Sequence, residues 1–460
     1  MSNHSFSLAV ITRAISLENA PFLDLSQLHA LNPGRYPFLL ESVAKGELGE
    51  YDILFAFPQE TISLHPSADK QHFLDRVNKQ LEQNHVNACD NEANLPFTGG
   101  WFAYFSYDYA QVVEPVLDLP KSNFPLAVLT RIPAAVIIKH ATQELFIIAE
   151  PEQASVLDQM EADIQKLASF EFPPLPINTT QFIKEPDEKY LKGIQSIKEY
   201  ILSGDIFQVN LSRQWQVSLD KQVSALAVYR ALRENNPAPF AALATFKDQN
   251  NQPWHIISSS PERLVKYQAP WVEARPIAGT RKRSTNLKAD QALMDELIAH
   301  PKERAEHIML IDLVRNDLGR ICQHGTVEVN ELMVVETYEH VHHIVSNVRG
   351  KLQQGLSPLD ILHAVFPGGT ITGCPKIRCM EIIAELEQMP REAYTGSLGY
   401  INRDGSLDLN ILIRTMIQFE KEGVPTVQFR AGGGIVADSI AEHELKEAGH
   451  KAKGLIQALS

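Results

Sequence analysis

Basic charge is in short supply in this chain. Its 460 residues carry 42 Lys and Arg against 56 Asp and Glu, a formal net charge of −14. A nucleic-acid or anionic-membrane binder needs a continuous basic face to hold phosphates, so this balance argues against both. Cysteine is scarce as well. Cys89, Cys322, Cys374 and Cys379 are the only four, and no two have zinc-ribbon spacing. So few thiols build no disulfide framework, which points to free thiols in a reducing, cytosolic compartment. Long apolar runs are missing too. No stretch of about 20 apolar residues occurs, so no membrane-spanning helix is expected. The opening MSNHSFSLAVITRAISLENA lacks the basic start and apolar core of a secretory leader. What remains, with 44% hydrophobic and 21% charged residues, is the composition of a globular protein with a sizeable core.

Residues 1 to about 170 hold short apolar runs broken by turn signals. YDILFAFP (51–58), AVLTRIPAAVIIKH (127–140) and LFIIAEP (145–151) predict strands, and SVLDQMEADIQKLASF (155–170) predicts a helix. EFPPLPINTT (171–180) is proline-rich and reads as a linker or as an ordinary surface loop within one fold. The boundaries drawn from it are an N-terminal region, 1–175, and a second region, 185–460. In the second region strands and helices alternate. DEKYLKGIQSIKEYILSGD (187–205) predicts an amphipathic helix ending near Gly204, and 289–317 a helical stretch broken near Pro301. LDLNILIRTMIQF (407–419) predicts one strand, AGGGIVADS (431–439) a glycine turn, and 441–459 a last helix.

Some of these segments carry chemistry. Glu303 with Glu306, and Glu444 with Glu447, are spaced to share a helix face. Two such faces could hold one Mg²⁺, which takes carboxylate oxygens, or they could simply be solvated. The amides of the Gly432–Gly434 turn could hold an anion, or the turn could be only a tight turn. FPGGTITGCPKIR (366–378) fails as a nucleotide phosphate loop, because Cys374 and Pro375 separate Gly373 from Lys376 and no Ser or Thr follows. Arg414 sits in an otherwise apolar strand and calls for a carboxylate partner. His343 is either a general acid/base or a satisfied core histidine.

These pieces stand together and in order. SPERL (260–264), RPIAGT (275–280), ERAEHIMLIDLVRNDLGRI (303–321), HHIVS (342–346), FPGGTITGCPKIRCMEII (366–383), GSLGY (396–400) and AGGGIVADS resemble the chorismate-utilising enzymes. PFLLES (37–42) and LPFTGGWFAYFSYDYA (95–110) resemble that family's N-terminal region. The resemblance implies an α+β fold of large, mostly antiparallel sheets packed with helices around a buried site. It implies Mg²⁺ held directly by Glu306 and Glu447, and through water by Glu303 and Glu444. Gly279, Thr280, Tyr394, Arg414, Lys376 and the amides of Gly432, Gly433 and Gly434 would surround the substrate. Thr280 would also belong to the catalytic set with His343, the family's acid/base near the ring C4 hydroxyl, and Glu262, its general acid. Chorismate is a dianion, so an acidic protein needs such cations and amides to hold it.

Within the family, water-using members carry a Lys as base where DIFQVNLSR (205–213) has Gln208. A neutral amide cannot deprotonate water, so Gln208 and Met309 point to the ammonia-using branch. No glutaminase segment is visible, which implies a separate glutamine amidotransferase subunit. Aminodeoxychorismate synthases commonly carry a nucleophilic Lys where this chain has Ala278, and that difference alone favours an anthranilate synthase. NPAPFAALATF (236–246) has Phe240 and Ala241 where anthranilate synthases carry a tryptophan-packing Tyr-Met. That change, together with AGGGIVADS and LDLNILIRT, favours aminodeoxychorismate synthase, which is the reading expected here. Anthranilate synthesis is the alternative, and a non-catalytic partner-binding paralogue is the remote one.

Overall fold

The computed structural model describes residues 10–15, 23–44, 49–86, 91, 93–167, 176–338 and 341–460. Cys89, the 171–175 half of the linker and most of the first 22 residues lie outside them. The described residues form two antiparallel sheets, of 12 and 10 strands, with helices outside them.

The apolar runs are long because these strands are buried on both faces. In Tyr51–Ala56, Ile53 and Phe55 enter one core while Leu54 and Ala56 enter another. In Gly100–Phe105, of the second sheet, Phe102 and Tyr104 join Phe55 in that first core. Aromatic contacts close the space between the sheets. Phe38 stacks on Phe102 at 4.0 Å, and Phe246 on Trp254 at 4.7 Å. The outer face of the larger sheet is covered by helices Val156–Lys166, Ala225–Asn235 and Ala441–Gln457.

Strands from the first 175 residues are threaded through both sheets. Phe38–Glu41 pairs with Phe240–Lys247, and Gly100–Phe105 pairs with Ser397–Asn402. The two regions therefore share their sheets. Pro301 starts a new helix, so 289–317 becomes Leu287–Ala299 and Pro301–Gly319. The stretch 407–419 is not one strand. It divides into Leu407–Ile411 and Thr415–Lys421, and Arg414 stands in the break with φ +51. Nor is the glycine run a turn. Gly432–Gly434 lie within strand Val424–Ile435, paired with Asn210–Ser212 of strand Gln208–Leu219. Among the described residues no helix is long and apolar enough to cross a membrane.

Candidate active site

The site lies where the ends of the two sheets meet. Gln208–Leu219 and Val424–Ile435 bring the larger sheet to it, and Ile277–Lys282 and Val341–Lys351 the smaller one. Helix Pro301–Gly319 packs on both of the latter strands and reaches across to the former. Gln208 is 4% exposed, and its Nε2 donates to Glu306 Oε1 at 3.1 Å.

Glycine is required beside that contact. A Cβ on Gly434 would stand 2.0 Å from Gln208 Nε2, and one on Gly432 would stand 1.9 Å from the Leu211 carbonyl oxygen. Gly433 faces Glu447 and Glu444, with a Cβ at 3.6 and 3.8 Å from their nearest oxygens. The run thus serves by lacking side chains, and it lies in a strand rather than a turn. One residue along, the strand also meets the Glu444–Glu447 helix face.

Whether these four carboxylates suit Mg²⁺ can be tested on their partners. Hard carboxylate oxygens are the right donors. Among the described residues, no three metal-ligating side chains are gathered. Glu447 pairs with Lys451 at 2.8 Å, Glu303 with Arg281 at 3.4 Å, and Glu444 accepts from Ser439 at 2.7 Å. Exchanging exposed ion pairs such as Glu447–Lys451 costs on the order of 1 kcal/mol or less. The donor set therefore fits the ion, with a rearrangement of side chains.

Opposite, Thr280 Oγ1 and His343 Nδ1 share a hydrogen bond at 2.9 Å, and Nδ1 also lies 3.4 Å from the Gly279 carbonyl. A carbonyl only accepts, so the proton is assigned to Nδ1 and Nε2 keeps its lone pair. Burial, then the charge of Arg414, pushes His343 down to about 4. Burial pushes Glu262 the opposite way, up to about 7, although Thr370 Oγ1 donates to its Oε1 at 2.8 Å. The usual order of the two groups is reversed. Near pH 6 the carboxylic acid holds a proton and the imidazole does not, an arrangement able to supply one acid and one base.

Arg414 donates to Asn236 Oδ1 at 3.3 Å, and no carboxylate pairs with it among the described residues. Burial lowers its pKa with no anion to oppose the effect. A part-buried guanidinium in this state is suited to an anionic ligand. Tyr394 is buried against Arg391, 5.6 Å from the guanidinium carbon to the ring centre. Lys376 is not gathered with the others. Its Nζ pairs with Asp317 at 2.7 Å, and Asp317 lies about 16 Å along the helix from Glu306. Ala278 is buried between Ile277, whose backbone bonds Glu262, and Gly279, while Lys282 is exposed.

The sequence reading missed a buried carboxylate against strand Gln208–Leu219. Glu387 accepts from Arg391, Arg430 and Ser212. Burial raises its pKa, but the two guanidiniums outweigh that and hold it below the usual range. Thr370 and Asn210 were missed as well. The period-two polar series Gln208, Asn210, Ser212, set against apolar Val209 and Leu211, was the available signal.

Residues 35–457 match the model of the chorismate binding enzymes. The chain belongs to that family. It is 42% identical to the aminodeoxychorismate synthase component 1 of Bacillus subtilis, over 95% of this chain and 94% of that one. To an anthranilate synthase component I-like protein of Synechocystis it is 41% identical, over 90% and 83%. The anthranilate synthase component I structure from Streptococcus pneumoniae superposes with a TM-score of 0.75 at 30% identity, covering 88% of this chain and 92% of that one. The fold expected from the motifs is thus observed, in a family whose members are enzymes acting on chorismate.

The cavity of about 460 Å³ lined by Leu40, Glu41, Ser42, Phe240, Arg263 and Asp408 is a different place. None of the candidate site residues lines it. It does unite PFLLES with the Pro239–Ala241 segment.

Proposed function

We propose that this chorismate-binding enzyme is the aminating component of a two-part aminodeoxychorismate synthase. It converts chorismate and ammonia to 4-amino-4-deoxychorismate, the precursor of para-aminobenzoate. The observation that carries the amination is buried Gln208, held by Glu306 in the position where water-using relatives resemble one another in having Lys. An amide takes no proton from water, so the nucleophile has to arrive as ammonia. Amination at C4 is supported by the 42% identity to an aminodeoxychorismate synthase component along nearly the full length of both chains.

Arg414 holds a substrate carboxylate, and Tyr394 packs beside the ring. Neutral His343, oriented by Thr280, accepts a proton through Nε2. Glu262 gives its proton to the departing C4 hydroxyl. One C–N bond forms and one C–O bond breaks. The hydroxyl leaves as water with the proton from Glu262, and the added nitrogen gives up one proton in return. Mg²⁺, when held by Glu306 and Glu447 with Glu303 and Glu444 through water, supplies positive charge for a second carboxylate.

Buried Ala278 favours a second reading. With no amine at that position a covalent lysyl intermediate cannot form, and an anthranilate synthase needs none. The product decides between the two. Chorismate, ammonium and Mg²⁺ incubated with the chain should yield an amine that retains the enolpyruvyl carbons, seen by mass. Anthranilate with released pyruvate would establish the second reading. The designation of its relatives as component I implies a partner. Glutamine should therefore serve as nitrogen source only after a cognate glutamine amidotransferase subunit is added, and glutamine use by the pure chain would refute that partnership.

A further inference from the structure

Two buried oxygens beside Glu306 have no donor. Gln208 Oε1 and Asn210 Oδ1 find no hydrogen-bond partner among the described residues. Their own amide nitrogens are committed elsewhere, Gln208 Nε2 to Glu306 at 3.1 Å and Asn210 Nδ2 to the Thr370 carbonyl at 3.5 Å. Those contacts fix which end of each amide is oxygen. Strand Gln208–Leu219 has no irregularity before Ser218, so Gln208 and Asn210 point from the same face, while Val209 and Leu211 join the apolar core. Residues two apart on a strand are about 6.7 Å apart. One tetrahedral nitrogen donating to two oxygens at about 2.9 Å each spans about 4.7 Å. The two side chains need to converge by only about 2 Å for a single small donor to reach both.

We propose that Gln208 Oε1 and Asn210 Oδ1 together form a binding site for neutral ammonia. This rests on the reading of ammonia as the nucleophile. Ammonia offers three N–H donors and one lone pair. Two carbonyl oxygens hold it by its hydrogens only, so the lone pair stays free to attack. The charges facing the pair come from two sides. Glu306 lies beyond Gln208, and its Oε1 is engaged by the Gln208 amide. On the Asn210 side, Arg391 and Arg430 share the single carboxylate of Glu387, and Arg391 Nη2 donates to the Asn210 backbone carbonyl at 2.6 Å. Thr370 places the nucleophile beside the acid, since its carbonyl accepts from Asn210 and its hydroxyl donates to Glu262. When the ammonia lone pair forms the C–N bond, the C–O pair leaves with the hydroxyl. The Glu262 proton completes a water, and the proton shed by the new ammonium passes to His343 Nε2, from which solvent carries it back to the Glu262 carboxylate.

Steady-state kinetics at pH 8.5 with Mg²⁺, ammonium chloride and chorismate test this site. Asn210→Leu keeps the volume and removes the acceptor. Its KM for ammonium should rise about tenfold, the size of one lost hydrogen bond, while KM for chorismate stays within about twofold. Asn210→Asp keeps an acceptor and loses the donor to Thr370, so its ammonium KM should stay within about threefold of the parent. Asn210→Ala should follow Asn210→Leu, which covers a failure of the larger side chain to fold. An unchanged ammonium KM in both apolar variants, or equal rises for both substrates in all three, would overturn the site alone. Absence of any amine product from the unmodified chain would overturn the functional reading and the site with it.

Discussion

At the scale of single residues, the acid/base pair is the most exposed to test. Glu262 has its pKa raised from its ordinary 4.5 to about 7, chiefly by burial. The folded state then binds more protons than the unfolded state between those values, so stability falls as pH rises through that window. The cost above pH 7 is about 3 kcal/mol. Glu262→Gln should flatten that much of the decline between pH 4.5 and pH 8, read by urea unfolding at each pH. The remaining slope belongs partly to Glu41, which burial also raises. The same substitution should lower kcat by about 10²- to 10⁴-fold, since the proton donor is gone. A variant that kept both the slope and the rate would remove Glu262 from its role. For the metal, Glu447→Gln should abolish any rise in thermal midpoint on adding Mg²⁺ and leave the midpoint without Mg²⁺ within a few degrees. The lost charge is half-exposed and, among the described residues, paired with Lys451. A Mg²⁺-induced rise that survived both this change and Glu306→Gln would place the ion elsewhere.

At the scale of the element, the glycine strand separates two physical demands. Gly432 is a packing requirement, because any Cβ there strikes the neighbouring strand's backbone. Gly432→Ala should cost on the order of 3 kcal/mol or leave the chain insoluble, measured by urea unfolding. Gly433 is a requirement of the site. Its Cβ would meet Lys451, Glu447 and Glu444 only at ordinary contact distances. Gly433→Ala should hold its stability within about 1 kcal/mol and yet lose Mg²⁺-dependent turnover, because the methyl group takes up space that Glu444 and Glu447 need to rearrange around the ion. Equal losses of stability in the two variants would contradict this division of roles.

At the scale of the whole molecule, the shared sheets forbid a simple cut. Removing residues 1–175 would strip Phe38–Glu41 from the edge of Phe240–Lys247, and Gly100–Phe105 from Ser397–Asn402. It would also uncover the aromatic layer between the sheets. A fragment spanning 176–460 should therefore express as insoluble or molten protein, with no near-ultraviolet circular dichroism, and should bind no chorismate. A cooperative, chorismate-binding fragment would show that the second region is a domain in its own right.

The sequence by itself determined the element types, because period and run length follow from which faces are buried. It determined as well which side chains carry charge, donors and acceptors, and hence the family and the kinds of chemistry open to it. The break at Arg414 and the strand at Gly432–Gly434 were decided only by tertiary structure. A strand-like apolar run gives no sign of where it must bend, and glycine shows freedom without showing what approaches it. The reversed protonation of Glu262 and His343 is also tertiary, since it comes from burial and from Arg414, remote along the chain. So is the commitment of Lys376 to Asp317, which draws one expected ligand contact away from the site. Asn210 marks the boundary between the two. Its place on the Gln208 face was legible in the alternation, but its unpaired oxygen depended on what the rest of the fold left beside it.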